Sequence, residues 1–310
     1  KDFDKNLQDY LRKGYTAGAA LGFKGNAIGF VMTVYRKLAA SSVAAIHQAL
    51  LNRKARLEGE MIKGFSSEEV ESQDQRFVGE WEEQLVTDAR EFFEGELELL
   101  NELILEADAL RDDDKKLKGF SNKVISQILT SNPNEKVLIF TEYRTTQAYI
   151  RQTLEDQYGE GSVELINGSM PHAKRREAIA RFEEKVNFLV STEAGGEGIN
   201  LQRKCHIMVN YDLPWNPMRL VQRIGRLYRY GQKKRVVVFN LHSPETADEQ
   251  VMNLMYTRIE QVVDDLAGVS TEYNEQLRDD ILGELADLLD INQILEDATV
   301  AGITRTQERI

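Results

Sequence analysis

The sequence has little cysteine, few histidines and no long apolar run, and each shortage closes a class of function. One cysteine in 310 residues, Cys205, excludes an internal disulfide and fits a reducing compartment. The four histidines, His47, His172, His206 and His242, are scattered, so no zinc or di-iron cage is expected and no metal ligand is assigned. No stretch approaches the ~20 apolar residues of a membrane span, so no membrane partner is expected and the location is read as cytoplasmic. The pattern G-x-x-x-x-G-K-[ST] is absent, and with it the phosphate loop that a stand-alone nucleotide-binding protein needs. A strand-borne D-E-x-H is missing too, since the only Asp-Glu pair is Asp248-Glu249. The chain starts at Lys1 without an initiator Met or a leader, and reads as a piece of a longer protein.

What is present is an ordinary globular composition, 42% hydrophobic and 29% charged, with room for two domains or for one core domain with helical additions. The net charge of −12 is unevenly spread. Residues 1–79 carry +3, 80–120 carry −9, 121–245 carry +5 and 246–310 carry −11. A basic middle between acidic flanks suits a polyanion better than the total suggests.

Pattern divides the chain into three. Residues 29–57 show apolar spacing without Gly or Pro after Gly29, and are read as one long helix. The polar stretch 64–75 is read as a loop, and 81–110 as a second helix with Leu85, Phe92, Phe93, Leu97, Leu100, Leu103 and Ile104 on its apolar side. Asp112, Asp113 and Asp114 are read as a helix end and linker. From residue 121 the texture changes: strands are expected at 137–141, 163–166, 188–191, 207–210 and 236–241, with helices at 146–158, 172–184 and 218–228. Buried strands alternating with helices mean a parallel α/β sheet covered on both faces. Thr246 with Glu249 forms a capping box that opens acidic helices running to about residue 289.

Four motifs fall just beyond strand ends, where such sheets place their working residues. The first, EKVLIFTEYRTTQAYI (135–150), delivers Arg144 and Thr145 into the turn before a helix, a setting that suits a phosphate or simply caps the helix. In INGSMPHAKRREAIARF (166–182), the Asn167-Gly168 turn leads into a helix bearing Lys174, Arg175, Arg176 and Arg181, either a backbone grip or a solvated face. The third, STEAGGEGINLQ (191–202), sets three glycines after a buried strand, which asks for a tight bend or a ligand against the backbone. Thr192 at that strand end could bond a phosphate oxygen. The fourth, NYDLPWNPMRLVQRIGRLYRYGQ (210–232), carries Gln222, Arg223, Arg226 and Arg229. Arg226 and Arg229 are expected on one helix side, and two guanidiniums held together call for an anion between them.

In this order on this scaffold, the motifs resemble the second RecA-like lobe of superfamily-two helicases and translocases, over about residues 119–245. STEAGGEGINLQ, DLPWNP and QRIGRLYRYGQ are similar to the Swi/Snf-like branch, above all to bacterial members related to the RNA-polymerase-associated remodeller. The resemblance implies a helical inter-lobe segment at 1–118 and an acidic helical extension at 246–310, all-α flanks on both sides of the RecA-like sheet. It makes Gln222, Arg226 and Arg229 catalytic toward a nucleotide bound on the first lobe, and puts Gly198 and Asn200 near its ribose. It assigns Arg144, Thr145, Asn167, Gly168 and Thr192 to a nucleic-acid backbone. ATP and Mg2+ would be bound mainly by a first lobe in the same polypeptide, so this chain alone is expected to be catalytically silent. The implied partner is nucleic acid, with double-stranded DNA first; RNA polymerase is a further candidate. A strand-separating helicase lobe acting on DNA or RNA, and a non-catalytic docking module, stay open as alternatives.

Overall fold

The computed structural model describes residues 2–20, 23–59, 91–193, 195–196, 198–214 and 217–241, which form two compact units. The first comprises the described residues up to 135 together with 141–196; the second comprises 136–140 and the described residues from 198. Among the described residues no helix is long and apolar enough to cross a membrane. The loop at 64–75, Trp215, the capping box at Thr246 and the acidic segment behind it lie outside the described residues.

The first unit begins with α1 (Asp2–Ala20), inside the segment 1–118 that the resemblance implies is helical, though no single helix was placed there. The single helix expected over 29–57 is two, α2 (Phe23–Ser41) and α3 (Val43–Leu57), broken at Ser42. Ser42 is extended (φ −158°, ψ 155°), and its hydroxyl accepts the Ala45 N–H. A serine at a tertiary corner favours capping over continuing the ladder, which apolar spacing alone does not register. Helix α4 (Glu96–Leu110) starts only after Gly95 turns through φ +79°, so 91–95 are not helical as the expected 81–110 helix required. The three aspartates are more than a linker. Arg111–Asp113 form a 3-10 turn, and Asp114 caps α5 (Lys115–Gly119) through Leu117 N–H while its other oxygen accepts Val43 N–H at 3.2 Å. A π-helical turn (Phe120–Ile125) and α6 (Ser126–Ser131) complete the helical part.

These helices share one core in which Tyr10, Met32, Tyr35, Ile46, Leu50, Leu100 and Leu103 are buried. A charged pair sits inside it. Glu96, with no exposure, takes Arg53 in a fork (Nε 2.9 Å, Nη2 2.8 Å) and accepts from Tyr10 Oη at 2.8 Å and Phe92 N at 2.6 Å. The guanidinium also lies 3.5 Å from the Phe92 ring centre. Burial, then the Glu96 charge, pushes the Tyr10 phenol well above its ordinary pKa, so it remains a donor.

The sheet has strands β1 (Val137–Thr141), β2 (Val163–Ile166), β3 (Phe188–Thr192), β4 (Ile207–Asn210) and β5 (Val237–Asn240) in the order β2-β3-β1-β4-β5. β2 runs parallel to β3, β1 to β4 and β4 to β5. Every residue of β1, β3 and β4 is buried, as in sheets covered on both faces, so the α/β class read from the sequence stands. The first unit carries α7 (Arg144–Tyr158) and α8 (His172–Glu184); the second carries α9 (Pro217–Ile224). The helix expected at 218–228 ends four residues early: Gly225 follows Ile224 and the chain turns. Arg226 and Arg229 therefore stand in irregular turns and not on a helix face.

Candidate functional site

In the first unit, Arg144 opens α7 and its Nη2 donates to Ser169 Oγ, which in turn donates to Asn167 Oδ1 at 3.2 Å. Arg175 Nη2 donates to the Asn167 carbonyl at 3.2 Å. Two cations thus converge on the Asn167-Gly168 turn, where Gly168 and Ser169 are exposed. Arg181 is occupied elsewhere, paired with Glu164 by Nη2 to Oε2 at 2.9 Å. Thr145 lines a cavity of about 830 Å3 with Asp108, Arg111, Lys118 and Gln152.

The glycine loop meets the same turn from below. A Cβ on Gly195 would lie 2.5 Å from the Ile166 carbonyl oxygen and 2.7 Å from Asn167 N, so that glycine is required by backbone against backbone. Thr192 is 1% exposed; its Oγ1 accepts Gly195 N–H at 3.3 Å and its carbonyl accepts Gly196 N–H at 2.9 Å. Buried Gln147 was not singled out from the sequence. Its Nε2 donates to the carbonyls of Ile166 and Val190, both at 2.9 Å, joining the ends of β2 and β3. A polar residue on the inner face of a helix has no signature by which spacing could mark it.

In the second unit, Gly198 turns through φ +73°, and Asn200 follows, exposed. Asn200 Oδ1 accepts Arg229 Nη1, so two residues assigned to the nucleotide are brought together. Gln222 is exposed on α9 and Arg226 is half-buried. Among the described residues, neither Arg226 nor Arg229 is paired with a carboxylate. The turn that bears them is pinned by Gln232, whose Nε2 donates to the carbonyls of Cys205 (2.9 Å) and Leu227 (3.3 Å) and whose Oε1 accepts Lys233 and Lys234 N–H, both at 3.0 Å. Arg223, which shares the basic run, does something else: 1% exposed, it donates to Asn210 Oδ1 (3.1 Å) and the Asp212 carbonyl (2.7 Å), with its guanidinium 5.0 Å from the Phe140 ring centre. It anchors α9 to the end of β4.

A parallel sheet with these loops defines a class that comparison identifies. Residues 121–231 match the family model of the helicase conserved C-terminal domain. The chain is 44% identical over 154 residues to YqhH, an uncharacterised ATP-dependent helicase of Bacillus subtilis, covering 47% of this chain and 27% of that protein. It is 41% identical over 91 residues to the human SWI/SNF-related matrix-associated actin-dependent regulator of chromatin subfamily A member 1, covering 28% of this chain and 9% of that one. Among solved structures it is similar to the C-terminal part of the Fun30 ATPase domain, with a TM-score of 0.49 and 17% identity over 82% of this chain and 84% of that one. The chain therefore spans about a quarter or less of the length of these two curated relatives.

Proposed function

We propose that this chain is the second-lobe portion of an ATP-dependent translocase that tracks along nucleic acid, double-stranded DNA before RNA. The reading rests above all on Arg226 and Arg229: guanidiniums that have no carboxylate partner among the described residues, on a turn braced by Gln232, beside the exposed Asn200. A guanidinium left without a counter-charge is matched to an anion that arrives from outside. ATP, when bound, supplies a transferring phosphoryl group whose negative charge Arg226 and Arg229 would meet, with Gln222, Asn200 and Gly198 lining the approach. Among the described residues of this unit the one carboxylate, Asp212, is buried, so none of them offers magnesium an exposed carboxylate. A partner lobe would have to hold the metal and the β- and γ-phosphates, which agrees with the absence of a phosphate loop from the sequence. On this reading the chain alone is silent as an ATPase.

The loops of the first unit would grip the backbone. Arg144 and Arg175 flank the exposed Gly168–Ser169 turn, where backbone N–H groups and two cations suit a phosphate. The likeness to a SWI/SNF-related protein supports displacement or tracking over strand separation, a step of family analogy. The test is the ATPase rate of the full-length protein with and without duplex DNA, beside its Arg229→Ala variant. A duplex-stimulated rate that drops by at least ~10²-fold in the variant supports an arginine supplied to the phosphoryl group. A rate indifferent to Arg229 overturns the reading and brings the docking module forward.

A further inference from the structure

The Asn167 turn is held in place by donors that come from elsewhere in the chain as well as by its own backbone. Met170 N–H closes it on the Asn167 carbonyl at 3.3 Å, and Arg175 Nη2 donates to the same oxygen at 3.2 Å. One residue earlier, the Ile166 carbonyl ends β2 and accepts Gln147 Nε2 at 2.9 Å. The other donor of that amide goes to the Val190 carbonyl of β3, also at 2.9 Å. An amide nitrogen carries two hydrogens, so Gln147 spends both on the ends of paired strands. It does so from the first turn of α7, three residues after Arg144, and is itself 2% exposed.

Three segments meet at the Ile166 oxygen. Gln147 brings the start of α7 to it, Asn167 leaves from it, and Gly195 of the glycine loop packs so close that a Cβ there would lie 2.5 Å away. Arg144, from the same turn of α7, donates to Ser169 Oγ, and Ser169 donates to Asn167 Oδ1. One turn of helix thus grasps the Asn167 turn twice, Gln147 at its buried base and Arg144 at its exposed tip. In a planar trans peptide the N–H points opposite to the carbonyl before it. Fixing the Asn167 carbonyl therefore aims Gly168 N–H away from Arg175 and Met170, the polarity an anion needs. The base of the turn calls for an amide of this length. Asparagine is one carbon shorter, glutamate would set two acceptors against two acceptors, and an apolar side chain would leave both carbonyls short of a donor.

We propose that Gln147 is a positioning residue for nucleic-acid binding: through Ile166 it holds the Asn167 turn at the distance from Arg144 at which both meet one phosphodiester backbone. Gln147 touches no ligand. Its two hydrogen bonds lock the support of the binding groups, so the surface stands formed before the ligand arrives and binding orders less of the chain. Its bond to Val190 ties the same support to β3, from which the glycine loop departs. This role rests on the reading of the turn as a backbone grip and adds to it the residue that sets its geometry.

The test is a double-mutant cycle in the full-length protein. Affinity for a labelled duplex of about 20 base pairs is read by fluorescence anisotropy at ~100 mM salt, without nucleotide. Wild type, Gln147→Met, Arg144→Ala and the double variant are compared, each first shown to unfold cooperatively in urea. Each single variant is expected to bind about tenfold more weakly, and the double variant within about twofold of either, since residues acting through one surface are non-additive. Without DNA, hydrogen exchange in Gln147→Met should quicken at 167–169 and stay unchanged at 99–107 in the helical core, a local change that a general loss of stability would not produce. Should Gln147→Met fail to fold, Gly195→Ala takes its place in the cycle, because it presses on the same Ile166 oxygen. A double variant about 100-fold weaker than wild type, the product of the singles, overturns the proposal. Unchanged exchange at 167–169 also overturns it. Wild-type affinity in Arg144→Ala overturns the grip reading and this role together, whereas weakened binding in Arg144→Ala alone overturns this role only.

Discussion

The two units differ in how each holds a buried arginine. Arg53 of the first is closed off by a carboxylate, Glu96, in a dry core. Arg223 of the second is held through an amide oxygen and a backbone carbonyl. Buried hydroxyls of the first unit are likewise satisfied internally: Thr146 Oγ1 lies 2.7 Å from Ser41 Oγ and 2.8 Å from Ser42 Oγ, joining the break between α2 and α3 to the start of α7. The lesson is that polar groups answered within the fold mark scaffold.

The largest effect that could break this comparison is on the Arg53–Glu96 pair. Glu96→Ala would strand a buried guanidinium and leave Tyr10 and Phe92 N–H without their acceptor. The expected cost is about 3–5 kcal/mol of stability, read as a lower urea midpoint. Arg53→Met/Glu96→Leu, which removes both charges, should recover much of the loss. A Glu96→Ala protein as stable as wild type would show that the helical core does not rely on internal neutralisation, and the contrast between the units would lose its basis.

How far each kind of residue was legible follows the same division. Strand positions, the parallel sheet and the residues of all four motifs could be read because apolar runs and basic side chains at strand ends leave a local trace. Arg229 and Asn200 were both marked, and their contact was beyond sequence because it joins a turn to a loop 29 residues away. The scaffold polar groups were silent. Glu96 looks like any acid in an acidic helix, Gln147 like a surface residue, and Arg223 like a third member of the basic run. Ser42 was hidden in an apolar stretch whose spacing fits one helix as well as two. The glycine loop was ambiguous for a physical reason, since a bend, a ligand and a neighbouring backbone all demand the same residue; at Gly195 the demand comes from Asn167 and Ile166.

That position offers the next test in order of size. Gly195→Ala forces a methyl to 2.5 Å from a carbonyl oxygen, and backbone on both sides has to shift. Overpacking of this kind costs about 1–3 kcal/mol, and here it should also displace the Asn167 turn that Arg144 and Arg175 reach. The expected outcome is a lower thermal midpoint together with weaker nucleic-acid binding. Gly198→Ala is the sharpening control: its φ of +73° strains any side chain, yet nothing lies within 4 Å of the added methyl, so the loss should be smaller and binding through the first unit unchanged. Equal losses at both positions would mean that the contact with Asn167 contributes nothing specific.

The smallest effect belongs to His47, a buried histidine on α3 that no function claims. Burial lowers its pKa from the ordinary value of 6.5; nearby Asp108 opposes this in part, and Arg111 adds to it. A depressed folded-state pKa means that the unfolded chain takes up the proton more readily. His47 therefore favours folding fully above about pH 6.5, and that contribution fades as pH falls below 6.5 toward the folded-state value. The wild-type urea midpoint should drop more between pH 8 and pH 5.5 than that of His47→Gln, which has no proton to gain. An identical drop in the two proteins would place the acid sensitivity among other groups, and His47 would join Arg223 as a polar residue whose burial is purely architectural.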